Sequence, residues 1–101
     1  MSLQWRAGYC DTTESNSGDC DRDVKGSWEL GFTSLHDACM RRCAECKTCS
    51  YVSVSLQAGD CSWFESCSMS RLPQSGAGHT TRRVRPAGAR CGPAPPRPPW
   101  R

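Results

Sequence analysis

Four of the chain's nine cysteines crowd into eleven residues as Cys39-x3-Cys43-x2-Cys46-x2-Cys49. Thiols at this spacing could hold an iron–sulfur cluster, hold zinc, or form disulfides. The C-x3-C-x2-C portion matches the spacing that carries a cluster in radical enzymes. Those enzymes wrap the cluster in a large α/β scaffold, which 101 residues cannot supply. A structural zinc site usually draws its four ligands from two separated knuckles. Here the four thiols are crowded together and the first two fall on a predicted helix, a poor match to zinc. Disulfides are therefore the expected fate, and no metal or other cofactor is expected. A zinc-stabilised intracellular interaction module is the alternative reading.

The remaining chemistry-bearing residues point away from catalysis. Asp19, Asp21 and Asp23 alternate as calcium ligands do, but the sixth and twelfth positions of such a loop would be Val24 and Leu30, where glycine and glutamate are needed. A polar loop is expected instead. His36 and His79 lie in no nucleophile motif, so both are read as solvated and the chain as a non-enzyme. Arg82, Arg83 and Arg85, with Arg90, Arg97 and Arg101 beyond, could attract an anionic polysaccharide through charge alone. Neither a specific nucleic-acid site nor a membrane span is expected. The PxxP spacing of 93–99 suits SH3-type readers, but a linker or stalk is the preferred reading.

The elements that must position these residues follow from periodicity. Residues 1–26 read as an irregular amino-terminal segment rich in Ser, Thr, Asp and Gly. Ser27 to Phe32 alternates, placing Trp28, Leu30 and Phe32 on one face of a short strand. Ser34 is the expected N-cap of a helix from about Leu35 to Glu45, with Asp37 completing a capping-box-like pair. Leu35, Ala38, Cys39 and Cys43 share one helical face, so both cysteines turn toward the core. Residues four apart on a helix diverge too far to bridge each other, so each needs a partner on another element.

Ser50 to Leu56 is a strand pattern with Val52, Val54 and Leu56 on a buried face and Tyr51, Ser53 and Ser55 on a wet one. A turn at 57–60 and a return strand through Trp63 and Phe64 make a hairpin. An aromatic flanked by hydroxyls suits a sugar ring or a peptide edge, so Tyr51, Ser53, Ser55 and Trp63 join Arg82, Arg83 and Arg85 as candidate ligand-binding residues. Thr80 to Val84 reads as a closing strand, and 85–101 as a Pro/Arg-rich disordered or polyproline II tail.

Size and composition explain why cysteine matters. A chain of 101 residues has room for one domain with a thin core, and its 37% hydrophobic content includes the nine cysteines. Such a density belongs to small domains stapled by disulfides in oxidising compartments, extracellular or lumenal. Nine is odd, so one thiol lacks an intrachain partner. With no secretory leader in the first residues, the expected origin is a fragment of a longer secreted or membrane-anchored protein. Charge is divided: ten acidic against seven basic side chains over 1–81, then six arginines and no acid over 82–101.

The run Cys39-x3-Cys43-x5-Cys49-x2-Val52-x-Val54-x6-Cys61-x-Trp63-Phe64 resembles the PAN/apple superfamily. The resemblance spans about Trp28 to Cys67 and extends toward Val84, which sets the module at 27–84. It implies an α+β fold, a small disulfide-rich domain with one helix packed on a twisted antiparallel sheet. It implies bridges Cys39–Cys61 and Cys43–Cys49, to which Cys46–Cys67 and an outer link from Cys91 to Cys10 or Cys20 are added as candidates. The implied function is non-catalytic extracellular binding of a protein or glycan, with the accessory domain of a larger secreted enzyme as a further alternative.

Overall fold

The computed structural model describes residues 5–84. Its elements are β1 (Arg6–Ala7), β2 (Lys25–Trp28), α1 (Leu35–Ala44), β3 (Tyr51–Ser55), β4 (Asp60–Phe64) and β5 (Thr80–Arg83). The five strands form one antiparallel sheet in the order β1-β5-β3-β4-β2. This is a small disulfide-rich α+β fold. Among the described residues no helix is long and apolar enough to cross a membrane.

The β3–β4 hairpin is the centre of the sheet because its alternation supplies the apolar face. Val52 lies opposite Trp63 and Val54 opposite Cys61, while Trp28 of β2 also faces Cys61. These side chains are buried together with Leu35, Cys39 and Cys43 of α1. The Trp28 and Trp63 rings stack 5.8 Å apart, and the Arg42 guanidinium lies 5.2 Å from the Trp28 ring. Arg42 thereby shields the stack from water while its own charge stays solvated.

Among the described residues four disulfides supplement this thin core: Cys10–Cys67, Cys20–Cys46, Cys39–Cys61 and Cys43–Cys49. The last two staple α1 to β4 and to the approach to β3, as the resemblance implied. The Cys46–Cys67 link is not formed: Cys46 ends the turn after α1 beside Cys20, and Cys67 follows β4 on the other side of the molecule beside Cys10. Both Cys10 and Cys20 are thus engaged, which corrects their expected link to Cys91; Cys91 itself lies outside the described residues. The four clustered thiols are divided among three bridges, so they do not converge on one metal. Each bridge contributes on the order of 2–4 kcal/mol by restricting the unfolded chain.

Local expectations are corrected at three places. Ser34 does not cap α1 with its side chain; its φ of 49° is left-handed, and only its carbonyl joins the helix, accepting from Ala38 N at 2.9 Å. The strand expected at Ser27–Phe32 is displaced toward the amino terminus, because Gly31, with φ at 79°, turns the chain away after Trp28. Phe32 is consequently 64% exposed, and Leu56 is 53% exposed because the hairpin turn already begins there.

Candidate functional site: a polar cleft under the amino-terminal strap

The sheet face opposite α1 carries Ser27, Ser53, Ser55, Ser62 and Thr81, all buried. Ser53 and Ser55, expected on a wet surface, are fully enclosed. The face is covered by two loops, the strap 8–17 and the segment 65–79, which Cys10–Cys67 joins to each other. Loop backbone buried on a sheet must find hydrogen-bond partners, and short hydroxyls supply them. Ser53 Oγ accepts from Cys10 N at 3.1 Å and lies 2.6 Å from Thr81 Oγ1, which donates to Gly8 O at 2.8 Å. Since the single Thr81 proton goes to Gly8, Ser53 is the donor between the two hydroxyls. Ser27 Oγ accepts from Asn16 N at 3.0 Å and donates to Glu14 O at 2.6 Å. Ser55 Oγ donates to Ala77 O at 2.7 Å and accepts from Ala58 N at 3.0 Å.

Where strap and sheet diverge they enclose a cleft of about 400 Å³. At its heart, Asp60 Oδ2 accepts from Ser62 Oγ at 2.8 Å and from His79 Nε2 at 2.9 Å. A carboxylate only accepts, so Nε2 carries the proton; in the neutral ring Nδ1 then accepts from Ser75 Oγ at 2.7 Å. Ser75 Oγ in turn accepts from the His79 backbone N–H at 3.2 Å, which closes the turn between them. Thr13 Oγ1 lies 2.6 Å from Ser62 Oγ and donates to it, because the Ser62 proton is already directed at Asp60. His79 is therefore held on both nitrogens, with a side chain 15% exposed, and is not the solvated ring expected. His36 departs from that expectation too: it is half-buried, edge-on to Trp5 at 4.7 Å.

Several cleft groups remain without a protein partner among the described residues: Asp60 Oδ1, the Tyr9 hydroxyl, the Thr12 and Ser15 hydroxyls, the Asn16 amide and the Glu29 carboxylate. Tyr9 lines the same wall, its ring tilted against the His79 imidazole at 5.9 Å. The charge is negative, from Asp11, Glu29 and Asp60. Asp11 forms an ion pair with Lys25 at 3.0 Å. The Lys25 ammonium, and after it the Thr12 backbone N–H, hold its carboxyl below the ordinary value.

Of the expected binding residues, only Ser53 borders the cleft, at its floor. Trp63 is fully buried in the core, so it presents no face to a ligand. Tyr51 is half-buried opposite Phe64 and Arg83, away from the cleft. Arg82 and Arg83 lie on β5, with Arg82 beside Val52 on the α1 face; Arg85 and the tail lie outside the described residues. Asp19, Asp21 and Asp23 fold into their own turn: Asp23 Oδ2 accepts from Asp19 N, Asp19 Oδ1 from Asp21 N, and Asp21 Oδ1 from Lys47 N.

The cleft residues missed in the sequence are Tyr9, Asp11, Asn16, Glu29, Asp60 and His79. They come from four separate stretches, so no local spacing announces them. One signal was present: a strand face of serines without Lys, Glu or Gln is too small and too sparsely charged for a wet face. No protein-family model, curated protein or solved structure matches the chain.

Proposed function

We propose that the chain is a non-catalytic binding module of an extracellular or lumenal protein, and that its cleft holds a neutral glycan. One observation carries this reading: unspent acceptors and donors, including Asp60 Oδ1, the Tyr9 hydroxyl and the Asn16 amide, line one concavity beside the Tyr9 ring. Sugar hydroxyls both donate and accept, which suits a wall that mixes carboxylate, amide and hydroxyl groups. The apolar face of a sugar ring suits the aromatic surface. A sulfated or uronic chain would instead meet Asp11, Glu29 and Asp60, so neutral sugars are preferred. The bridges Cys39–Cys61 and Cys43–Cys49 support a PAN/apple-like assignment, and four disulfides support an oxidising compartment.

A neutral glycan array tests this reading. Asn16 and Glu29 are exposed and their side chains make no hydrogen bond among the described residues; Asn16 has a left-handed φ of 49°, which glycine adopts without strain, so Asn16→Gly and Glu29→Ala should fold normally and weaken binding at least fivefold. Full retention by both variants would place any binding elsewhere. The Ser75–His79–Asp60 chain also has the residue types of an acyl-transfer triad, a second reading. Its hydroxyl closes a turn, which favours a positioning role for the group. Fluorophosphonate labelling that vanishes in Ser75→Ala would establish the enzymatic alternative.

A further inference from the structure

A second hollow, of about 560 Å³, adjoins the cleft on the other side of the strap's Thr12–Thr13 pair. Its lining includes Glu14, Ser17 and Lys25, and it shares Thr12 and Thr13 with the cleft. The boundary between the hollows is therefore a two-residue ridge, and several contacts fix it. Asp11 Oδ1 accepts from Thr12 N at 2.8 Å, and Thr13 is tied to Ser62. The Asp11–Lys25 ion pair straddles the ridge, with Asp11 on the cleft side and Lys25 on the other.

We infer that the two hollows form one continuous site, and that its ligand is a neutral oligosaccharide of at least two linked sugars crossing the ridge over Thr12. This rests on the glycan reading of the cleft. Three features of the second hollow lead to it. The Thr12 hydroxyl is exposed and unspent at the junction, where a linkage between two sugar units would pass. Lys25 uses one ammonium donor on Asp11, which leaves donors for a sugar hydroxyl. The Lys25 charge is compensated by Asp11, and Glu14 stands beside it without an ion-pair partner among the described residues. The second hollow therefore offers no net attraction for an anionic unit, and the whole path favours uncharged sugars. Linking two units that each bind weakly makes the second contact intramolecular, so affinity rises with chain length until the path is filled.

The test is an array of neutral glycans in which each linkage type is present from mono- to tetrasaccharide, followed by calorimetry on the series that binds. Binding should tighten at least tenfold from the monosaccharide to the di- or trisaccharide and then level off. Glu14→Trp fills the second hollow from an exposed position whose hydrogen bonds, among the described residues, use the backbone carbonyl alone. It should abolish the gain with length while leaving monosaccharide affinity within twofold. Equal affinity at every length, with binding still weakened in Asn16→Gly, would overturn the continuous site and leave the cleft reading standing. A length gain that survives Glu14→Trp would also overturn it. Absence of binding to every saccharide would overturn both.

Discussion

His79 Nε2 meets Asp60 Oδ2 at 2.9 Å, joining the loop that precedes β5 to the first residue of β4. The pair fixes one edge of the cleft, because His79 also holds Ser75 and Asp60 also holds Ser62. Replacing His79 with Ala leaves the Asp60 carboxylate and Ser75 hydroxyl short of a partner in a partly enclosed place. The variant should lose about 1–3 kcal/mol of stability in urea denaturation. His79→Gln, which can still donate to Asp60, should recover part of that loss.

Cys10–Cys67 has the longest sequence separation of the four bridges, 57 residues, and it alone joins the two loops that cover the hydroxyl face. The double variant Cys10→Ser/Cys67→Ser should cost on the order of 2–4 kcal/mol. Hydrogen exchange should rise across residues 8–16 and remain slow in α1, β3 and β4, which Cys39–Cys61 and Cys43–Cys49 still secure. Uniformly faster exchange would show that the strap is integral to the core.

Gly26 sits opposite Trp63, and a Cβ there would lie 2.6 Å from the indole Cζ2 and also against the Ser17 carbonyl. The indole is fully buried and cannot retreat. Gly26→Ala should therefore destabilise by about 1–3 kcal/mol through overpacking. Gly76→Ala is the control: a Cβ there meets nothing within 4 Å, so its midpoint should hardly move.

The Asp11–Lys25 pair gives a pH-dependent prediction of small size. Its carboxyl is lowered in the folded protein, so the pair's stabilisation is present above the unfolded carboxyl value. It is lost as pH falls through the lowered folded value. Both side chains are well exposed, at 61% for Asp11 and 40% for Lys25, which limits the contribution to at most about 1 kcal/mol. Lys25→Met should be slightly less stable than the parent at pH 7 and equal to it at pH 2, by thermal melting.

What the sequence disclosed was the periodic part of the fold. The α1 stripe of Leu35, Cys39 and Cys43 and the Val52, Val54 alternation are local patterns, and each matches an element that buries one face. The Ser34 cap and the reach of β2 were misread because backbone turns at Ser34 and Gly31 override the local signals. The cleft was not legible, since Tyr9, Asn16, Asp60 and His79 converge only once Cys10–Cys67 and the serine face draw two loops onto the sheet. Alternation identified that face as distinct from the core. It could not distinguish water from loop backbone as the partner of its hydroxyls.

The most direct test of the central claim is a nitrogen-15 NMR titration of the oxidised protein with the best-binding neutral glycan from the array. The cleft account predicts shifts at Tyr9, Asn16, Asp60 and His79, with α1 undisturbed. Shifts confined to Arg82, Arg83 and the residues beyond them, or none at saturating glycan, would contradict it.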